Sequence, residues 1–595
     1  MAMDGLILAA VREEMQELIG CRITKIYQPG KREIVIHCRR PGTTLAVILS
    51  ADPQYPRVYL TEDVPENPLN PPSFCMLLRK YLEGGKITAV EQPDLDRILQ
   101  ITVENIAEHG GPTHYRLIAE IMGRHSNIIL LDAAGQVLDA VTRVDSRVNR
   151  YREIVPGAIY IPPPDQGKLS LLALDWQAFL TRMAPASPEA SVARLIQDNF
   201  TGISPQVAVE LVSQIGLDRG TLRKEINQGQ LEDLYRVLLQ LGEKIKEGHF
   251  APQIVLSADG EPRRISAIPL TSQFEEAWEF FSMSRALETY YAHKLANEEM
   301  EHLRRNLIQV VEGHQDRLVR KIKAQERELS AAEDAETYRT YGELLTANIH
   351  RLQKGLESVT LENFYNDLEP VTIPLDPRLT PAENAQDYFR RYSKAKKTKV
   401  EGMYHYQQSL EEQVYLEQVR TSLDLAVELS DLLDIQRELM EEGYIRPAKG
   451  QKSKELRQDR PQPLRFWSSD GLEILVGRNN RQNDYLTFRI ANPDDMWLHV
   501  KDIPGSHVVI RSRGTEPPAA TLKEAALLAA HYSKSRAGHN VAVDYTARKH
   551  VRKPRGAKPG MVIYDHYRTI FVSPLPEIIQ PLLARQISAG PPDKT

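Results

Sequence analysis

Short apolar, β-branched runs broken by turn residues fill the chain between Arg22 and about Tyr160. RITKIYQ, REIVIHC, TLAVILSA, RVYLT, ILQITVEN, HYRLIAEIM and NIILLD each predict a strand. Ahead of them, Leu6, Ile7, Ala10, Val11, Met15 and Leu18 fall on one helical face and predict an amphipathic opening helix. PPSFCMLLRKYLEGG, with proline near its start and glycine at its end, predicts a helix that interrupts the strands. The three prolines of GAIYIPPPDQGK fit neither a helix nor a central strand and close this module.

The pattern then turns helical. From Leu169 to Gly248 the helices are short, and FTGISPQVAVELVSQIGL sets a Gly-Ile-Ser turn between two of them. Such a turn either packs as plain helical structure or offers backbone N–H groups to a phosphate. Near Phe281 the texture changes again, to Glu, Lys, Arg, Leu and Ala with Leu318, Ile322, Gln325 and Leu329 at three-four spacing. A second such run carries Leu416, Val419, Leu423, Ala426 and Leu433. Between the two lies a Pro- and Asp-rich insert, so a long antiparallel coiled-coil arm with a structured tip is expected, a helical bundle being the alternative. A charged linker follows, then a strand-dominated module from Leu464 with one helix, TLKEAALLAAHYSKSRAG. The expected divisions are 1–165, 166–265, 280–445, a linker 446–463, a module 464–575 and a tail 576–595.

Composition narrows the class. The chain has 595 residues, 42% of them hydrophobic and 26% charged, which suits an ordinary globular protein of several domains. No apolar run approaches the ~20 residues of a spanning helix. The opening stretch has Asp4 before its apolar run and Glu13 and Glu14 after it, so no signal peptide is expected. Cys21, Cys38 and Cys75 show no CxxC spacing, which predicts a reducing compartment, the cytoplasm, and no structural zinc. A net charge of −5 argues against a protein that coats nucleic acid by bulk charge, so any such contact must be local.

Two stretches supply local positive charge. Arg548 to Lys558, with Lys549, Arg552, Lys553, Arg555 and Lys558, contains no acid. YFRRYSKAKKTK, in the predicted arm tip, interleaves Arg390, Arg391, Lys394, Lys396 and Lys397 with aromatic residues. It reads either as a solvated face or as an RNA contact. The segment from Asn483 to Arg511 concentrates Asp494, Asp495, His499, Asp502 and His507. Along a strand these do not all share a face, so a metal or acid/base centre is not expected. The alternative is a rigid surface around an Ile503-Pro504-Gly505 turn. No GxxxxGK[ST], HExxH or GxSxG motif is present, and no catalytic residue, metal or cofactor is expected.

The motifs MAMDGLILAAV, ITKIYQP, NPPSFCMLLRKYLEGG, DLDRILQ, EIMGRHSNIILLD, NRYREIVPGAIYIPPP, GRNNRQNDYLT, DMWLHVKDIPGSHVVIR and VRKPRGAKPG, in this order, resemble the NFACT family over essentially the whole chain. The resemblance implies an α+β multidomain fold: a MutM-like strand-rich N-terminal module, a helix-hairpin-helix domain, the coiled-coil arm and an α/β C-terminal NFACT-R module. A MutM-type glycosylase attacks with an N-terminal Pro followed by Glu. This sequence begins Met1-Ala2-Met3-Asp4, so base excision is not expected. The chain stops soon after its basic module, which favours the bacterial branch of the family.

In function, the resemblance implies a factor that binds the large ribosomal subunit, at rRNA and stalk base, when peptidyl-tRNA obstructs it. It would recruit alanyl-tRNA and so add a C-terminal alanine tail to the stalled chain. Peptide-bond formation would use the ribosome's own centre, which fits the missing ATPase motif. Whether a small RNA-binding helper protein takes part is left open, and no membrane partner is implied. A surface fibronectin-binding adhesin, from an older name of the bacterial members, is the second reading; a metal-dependent nuclease or hydrolase is the third.

Read from the residues alone, Asp96 and Arg97 are first a surface ion pair; the resemblance reverses that order, because they match the family's Asp-Arg pair tied to tRNA recognition. Arg124, His125 and Asn127 follow Gly123, which could let a backbone come close. They are either a second tRNA contact or a turn bracing the strands. Arg478, Asn479, Asn483 and Asp484 suit either an RNA backbone or a brace for WLHV. His499 and His507 are expected to be structural.

Overall fold

The computed structural model describes residues 3–68, 70–106, 110–183, 187–258, 260–272, 276–331, 335–446 and 461–587. Contacts divide the chain into two compact units, Met1–Asn297 and Glu298–Thr595. Most of the predicted linker 446–463 and the end of the predicted tail 576–595 lie outside the described residues.

In the first unit, β1 (Arg22–Tyr27), β2 (Glu33–Arg40), β3 (Thr43–Ser50), β4 (Arg57–Thr61), β5 (Lys86–Glu91), β6 (Ile98–Ile106), β7 (Pro112–Glu120), β8 (Asn127–Leu131) and β9 (Val137–Ala140) form one antiparallel sheet. Its order is β4-β3-β2-β1-β5-β6-β7-β8-β9. All the strands predicted here form. β5 and β9 were not predicted: neither KITAVE nor VLDA is a continuous apolar run, and each pairs because neighbouring strands supply a ladder.

The opening helix α1 (Gly5–Glu14) departs from the amphipathic expectation. Every residue from Gly5 to Val11 is buried, because the sheet and later helices enclose it. The Asp4 carboxylate caps it, accepting the Ile7 N–H at 2.9 Å. Helix α2 (Ser73–Leu82) packs on the sheet through Phe74, Leu78 and Leu82. Next come α3 (Trp176–Met183), α4 (Val192–Asn199), α5 (Pro205–Gln214) and α6 (Gln228–Lys246). β10 (Gln253–Leu256), β11 (Pro262–Ser266) and β12 (Ala277–Glu279) then form a small antiparallel sheet.

The long helix α7 (Met283–Ala331) is rooted here. Glu14 accepts the Met283 and Ser284 N–H groups at its start, and Glu288 accepts the Thr61 hydroxyl at 2.6 Å. These bonds pin the helix start between α1 and edge strand β4.

In the second unit, α8 (Ala335–Ala347), the hairpin of β13 (Ser358–Asn363) and β14 (Glu369–Pro374), and α9 (Pro381–Leu425) follow. α7 and α9 run antiparallel: Arg304 meets the Leu423 carbonyl at 2.7 Å, Glu312 meets Arg420 at 3.6 Å and Glu326 meets Tyr406 at 3.0 Å. Leu318 and Ile322 are buried in this seam with Leu416, Val419 and Leu423. α9 stops at Leu425 and α10 (Leu429–Glu441) restarts in a new phase. Leu432 therefore takes the buried place expected of Leu433, which is exposed.

The remaining strands are β15 (Leu464–Trp467), β16 (Glu473–Val476), β17 (Met496–Val500), β18 (Val508–Ile510), β19 (Val541–Ala547) and β22 (Arg568–Val572). They form a six-stranded sheet in the order β15-β16-β18-β17-β19-β22. Helix α11 (Asn480–Tyr485) follows β16, and α12 (Ala519–His531) covers one sheet face through Ala525, Leu528 and Ala529. β20 (Val551–Arg552) and β21 (Ile563–Tyr564) make a separate hairpin. Part of the predicted tail is structured: Pro576–Leu583 forms α13, whose Ile579 and Leu582 complete the same core.

Candidate nucleic-acid interface

A cavity of about 1460 Å³ opens in the first unit, between the end of the sheet and the α4–α5 turn. Three backbones converge at its floor. A Cβ on Gly5 would lie 1.9 Å from the Leu95 carbonyl oxygen and 2.5 Å from the Gly202 Cα, so only glycine fits there. Gly202 itself has φ +83° and faces Leu95. Gln92 donates its amide to the Gly5 carbonyl at 3.0 Å and to the Asp96 carbonyl at 2.8 Å. The loop carrying Asp96 and Arg97 is thus tied to the start of α1 and to the helical turn at once.

All five residues predicted for the N-terminal module line this cavity. Asp96 and Arg97 do not pair with each other: the Asp96 carboxylate accepts the Arg97 backbone N–H at 2.7 Å. Among the described residues no hydrogen bond or ion pair holds the Arg97 guanidinium, which is half-buried. Arg124 and His125 are exposed on a 3₁₀ turn, the Arg124 Nε lying 3.0 Å from the His125 Nε2. Gly123 permits that turn by its φ of +61°, and among the described residues no protein atom lies within 4 Å of where a Cβ would stand. Asn127 is buried, its amide donating to the Thr142 carbonyl and accepting the Thr142 and Ile128 N–H groups. It braces β8 against the chain after β9 and shapes the wall.

Residues without a local sequence signal complete the lining: Lys168, Arg194, Arg219 and Arg264 come from four separate segments. In all, seven Arg or Lys residues and four Asp residues face the cavity. Asp4 lies at its floor, where burial pushes its carboxyl above the usual range while Ser204 and the nearby Arg97 act the other way. Asp4's place before an apolar helical run marks it in sequence as a cap; its place in the cavity is tertiary. The volume exceeds the ~300–1,000 Å³ of ordinary small-molecule sites, and its seven cations outnumber its four carboxylates, which suits a segment of polyanion.

The predicted C-terminal residues divide into two groups. Arg478, Asn479 and Asn483 are buried. Arg478 pairs with Asp431 at 3.0 Å and Glu428 at 3.4 Å, Asn479 caps α11 by accepting the Gln482 N–H at 2.9 Å, and Asn483 accepts the His507 N–H at 2.9 Å. Asp484 holds Lys553 and the Gly560 N–H, and Lys558 reaches Glu442 at 2.6 Å. Asn480 donates to Glu438 at 2.9 Å. This stretch docks the module on the acidic face of α10, because arginine, lysine and amide donors meet a run of carboxylates there. Among the predicted cations of this module, Lys549, Arg552, Lys553 and Arg555 are exposed; Lys553 is held by Asp484, Lys549 contacts Asp494 at 3.0 Å and Arg552 contacts Asp565 at 3.5 Å.

The basic run of the second unit lies on the first turns of α9. Its aromatics face inward: Tyr388 is buried and donates to the Pro374 carbonyl at 2.6 Å, and Phe389 packs on Gly342. The cations face outward, Arg390 and Arg391 sharing Asp387 at 2.9 and 2.8 Å, Lys397 near Glu401 at 3.8 Å, and Lys394 and Lys396 exposed.

The Asp494–His507 cluster is dispersed by its partners. Asp495 is buried and accepts the Asn492 N–H at 2.9 Å, Asp494 faces Lys549, and His507 meets the Thr487 hydroxyl at 2.8 Å. Burial beside Trp497 lowers His499 to about 4 and His507 well below its ordinary value, so both imidazoles are neutral and structural at pH 7.

Comparison with known proteins divides the chain ahead of β15. Residues 4–458 match the family model for NFACT N-terminal and middle domains, and residues 462–565 match that for the NFACT protein RNA binding domain. The chain is 41% identical over 578 residues to the Rqc2 homolog RqcH of Bacillus subtilis (strain 168), covering 96% of this chain and 98% of that one. It is 36% identical over 582 residues to the Rqc2 homolog RqcH of Streptococcus pneumoniae (strain ATCC BAA-255 / R6), with the same coverage. A solved structure, the N-terminal part of the fibronectin/fibrinogen-binding protein from Streptococcus suis, is similar at 31% identity and a TM-score of 0.41, covering 49% of this chain and 99% of that one.

Proposed function

Because the chain belongs to the NFACT family, we propose that it is a cytoplasmic ribosome quality-control factor that holds tRNA on an obstructed large subunit. It recruits alanyl-tRNA beside the peptidyl-tRNA, and the ribosome's own centre extends the stalled chain with a C-terminal alanine tail. The protein positions and does not catalyse. The observation that carries this reading is the cation-lined cavity of the first unit, where the half-buried Arg97 side chain makes no hydrogen bond or ion pair among the described residues and stands beside exposed Arg124 and His125. A planar cation in that setting can stack on an unpaired base or fork onto its edge, and the Asp96 carboxylate fixes the loop that carries it.

In this reading residues 1–165 are a MutM-like module and 166–265 contain a helix-hairpin-helix at α4–α5. Residues 280–445 are a coiled-coil arm that reaches rRNA and the stalk base through Arg390, Arg391, Lys394, Lys396 and Lys397. The module 464–575 touches RNA phosphate through Lys549, Arg552 and Arg555.

The test is sequencing of the RNA that co-purifies with the full chain, wild type against Asp96→Ala/Arg97→Ala. The expected result is large-subunit rRNA and an alanine tRNA family with wild type, and loss of the tRNA alone in the variant. Failure of the wild type to enrich tRNA would overturn the reading.

A further inference from the structure

The hairpin of β20 and β21 carries a feature that RNA positioning does not use. His550, Asp565 and His566 each offer one donor atom, and the three atoms lie within 4.8 Å of one another. The Asp565 Oδ1 stands 3.3 Å from the His550 Nδ1 and 3.9 Å from the His566 Nε2, while its Oδ2 faces Arg552 at 3.5 Å. The carboxylate is therefore divided, one oxygen turned to the two imidazoles and the other to a guanidinium. The imidazole rings are 4.8 Å apart and inclined at 60°, so they are neither stacked nor turned away from each other.

Both sides of the cluster are set by the framework. His550 ends a 3₁₀ turn that is held on one side by the Arg548 side chain on the Thr487 carbonyl at 2.7 Å. On the other side, the Lys549 N–H donates to the Pro493 carbonyl at 2.8 Å. Asp565 and His566 lie in a turn where the Thr546 hydroxyl is within reach of both their carbonyls, at 3.0 and 3.2 Å. His566 takes φ +49° there, a left-handed conformation that disfavours a non-glycine residue and persists because the surroundings hold it.

We propose that His550, Asp565 and His566 form a binding site for a divalent transition-metal ion of the zinc class. Two ligand atoms each about 2.1 Å from a tetrahedral zinc stand about 3.4 Å apart. The His550–Asp565 pair already has that separation, and the His566–Asp565 pair reaches it by closing about 0.5 Å, within the freedom of an exposed side chain. Two imidazoles and one carboxylate suit zinc over calcium or magnesium, which take oxygen ligands. Three protein ligands leave a position for water or for a phosphate oxygen. The ion would tie the two ends of the hairpin together and so fix the loop that carries Lys553, Arg555 and Lys558.

The experiment is calorimetric titration of Zn²⁺ into the metal-free full chain, comparing wild type with His566→Asn, Asp565→Asn and His550→Gln. Asparagine tolerates the left-handed backbone at 566, and the other two variants decide the matter if that one does not fold. The expected result is one saturable site whose affinity falls at least about tenfold in each folded variant. No saturable binding, or binding that the variants leave unchanged, would overturn the proposal. Neither result depends on tRNA binding, so this site and the tRNA cavity stand or fall separately.

Discussion

At Gly5 one missing methyl group decides whether the cavity floor can form. A Cβ there would overlap the Leu95 carbonyl oxygen and the Gly202 Cα, both of them backbone, so no side chain can rotate away to make room. Gly5→Ala is expected to destabilise the first unit by about 3 kcal/mol or more, read as a lowered unfolding midpoint. It should also weaken tRNA binding, because the Asp96–Arg97 loop hangs on the same contact. Glu438 offers a second residue-scale test. It accepts the Tyr415 hydroxyl at 2.8 Å and the Asn480 amide at 2.9 Å, and burial pushes its carboxyl from 4.5 up to about 7. A carboxyl that holds its proton more tightly when folded opposes folding once ionised. That cost is absent below about pH 4.5, grows as the pH rises and is complete above about pH 7. Glu438→Gln keeps the accepting oxygen and removes the charge. It is expected to stabilise the second unit by about 1–3 kcal/mol at about pH 8 and by almost nothing at about pH 4.5, in parallel chemical denaturations.

At the scale of elements, α10 and the α11 stretch explain why six of the nine cations and polar residues predicted to touch RNA in the C-terminal module are engaged elsewhere. Arg478, Asn479, Asn483, Asp484, Lys553 and Lys558 lie in or beside the contact between that stretch, the basic loop and α10. In sequence, an arginine that will meet Asp431 and one that will meet a phosphate look alike, since both need only an anion at bonding distance. The exposed Lys549, Arg552 and Arg555 are the ones left for an outside polyanion, and the two arginines can fork onto a phosphate. Arg552→Ala/Arg555→Ala is expected to flatten the dependence of log affinity on log salt by up to about 1.4 for single-stranded RNA, with the choice of tRNA unchanged. An unaltered slope in a filter-binding titration would remove these two residues from the interface.

Over the whole molecule, a net charge of −5 means that RNA contact depends on where cations gather and not on how many there are. Local patterning determined most of the elements: the strands of the large sheet, α2, the paired runs of α7 and α9 and the helix α12 are legible because periodicity and turn residues act over a few positions. The Asp96–Arg97 and Gly123–Asn127 motifs were legible too, through their resemblance to a family. Only the tertiary structure decided which faces were covered. It buried α1 all round from Gly5 to Val11, paired β5 and β9, and moved Leu432 into the place expected of Leu433. It brought Lys168, Arg194, Arg219 and Arg264 to one cavity and His550 to within 3.3 Å of Asp565. Such outcomes depend on contacts between residues far apart in the chain, where no periodicity links one partner to the other.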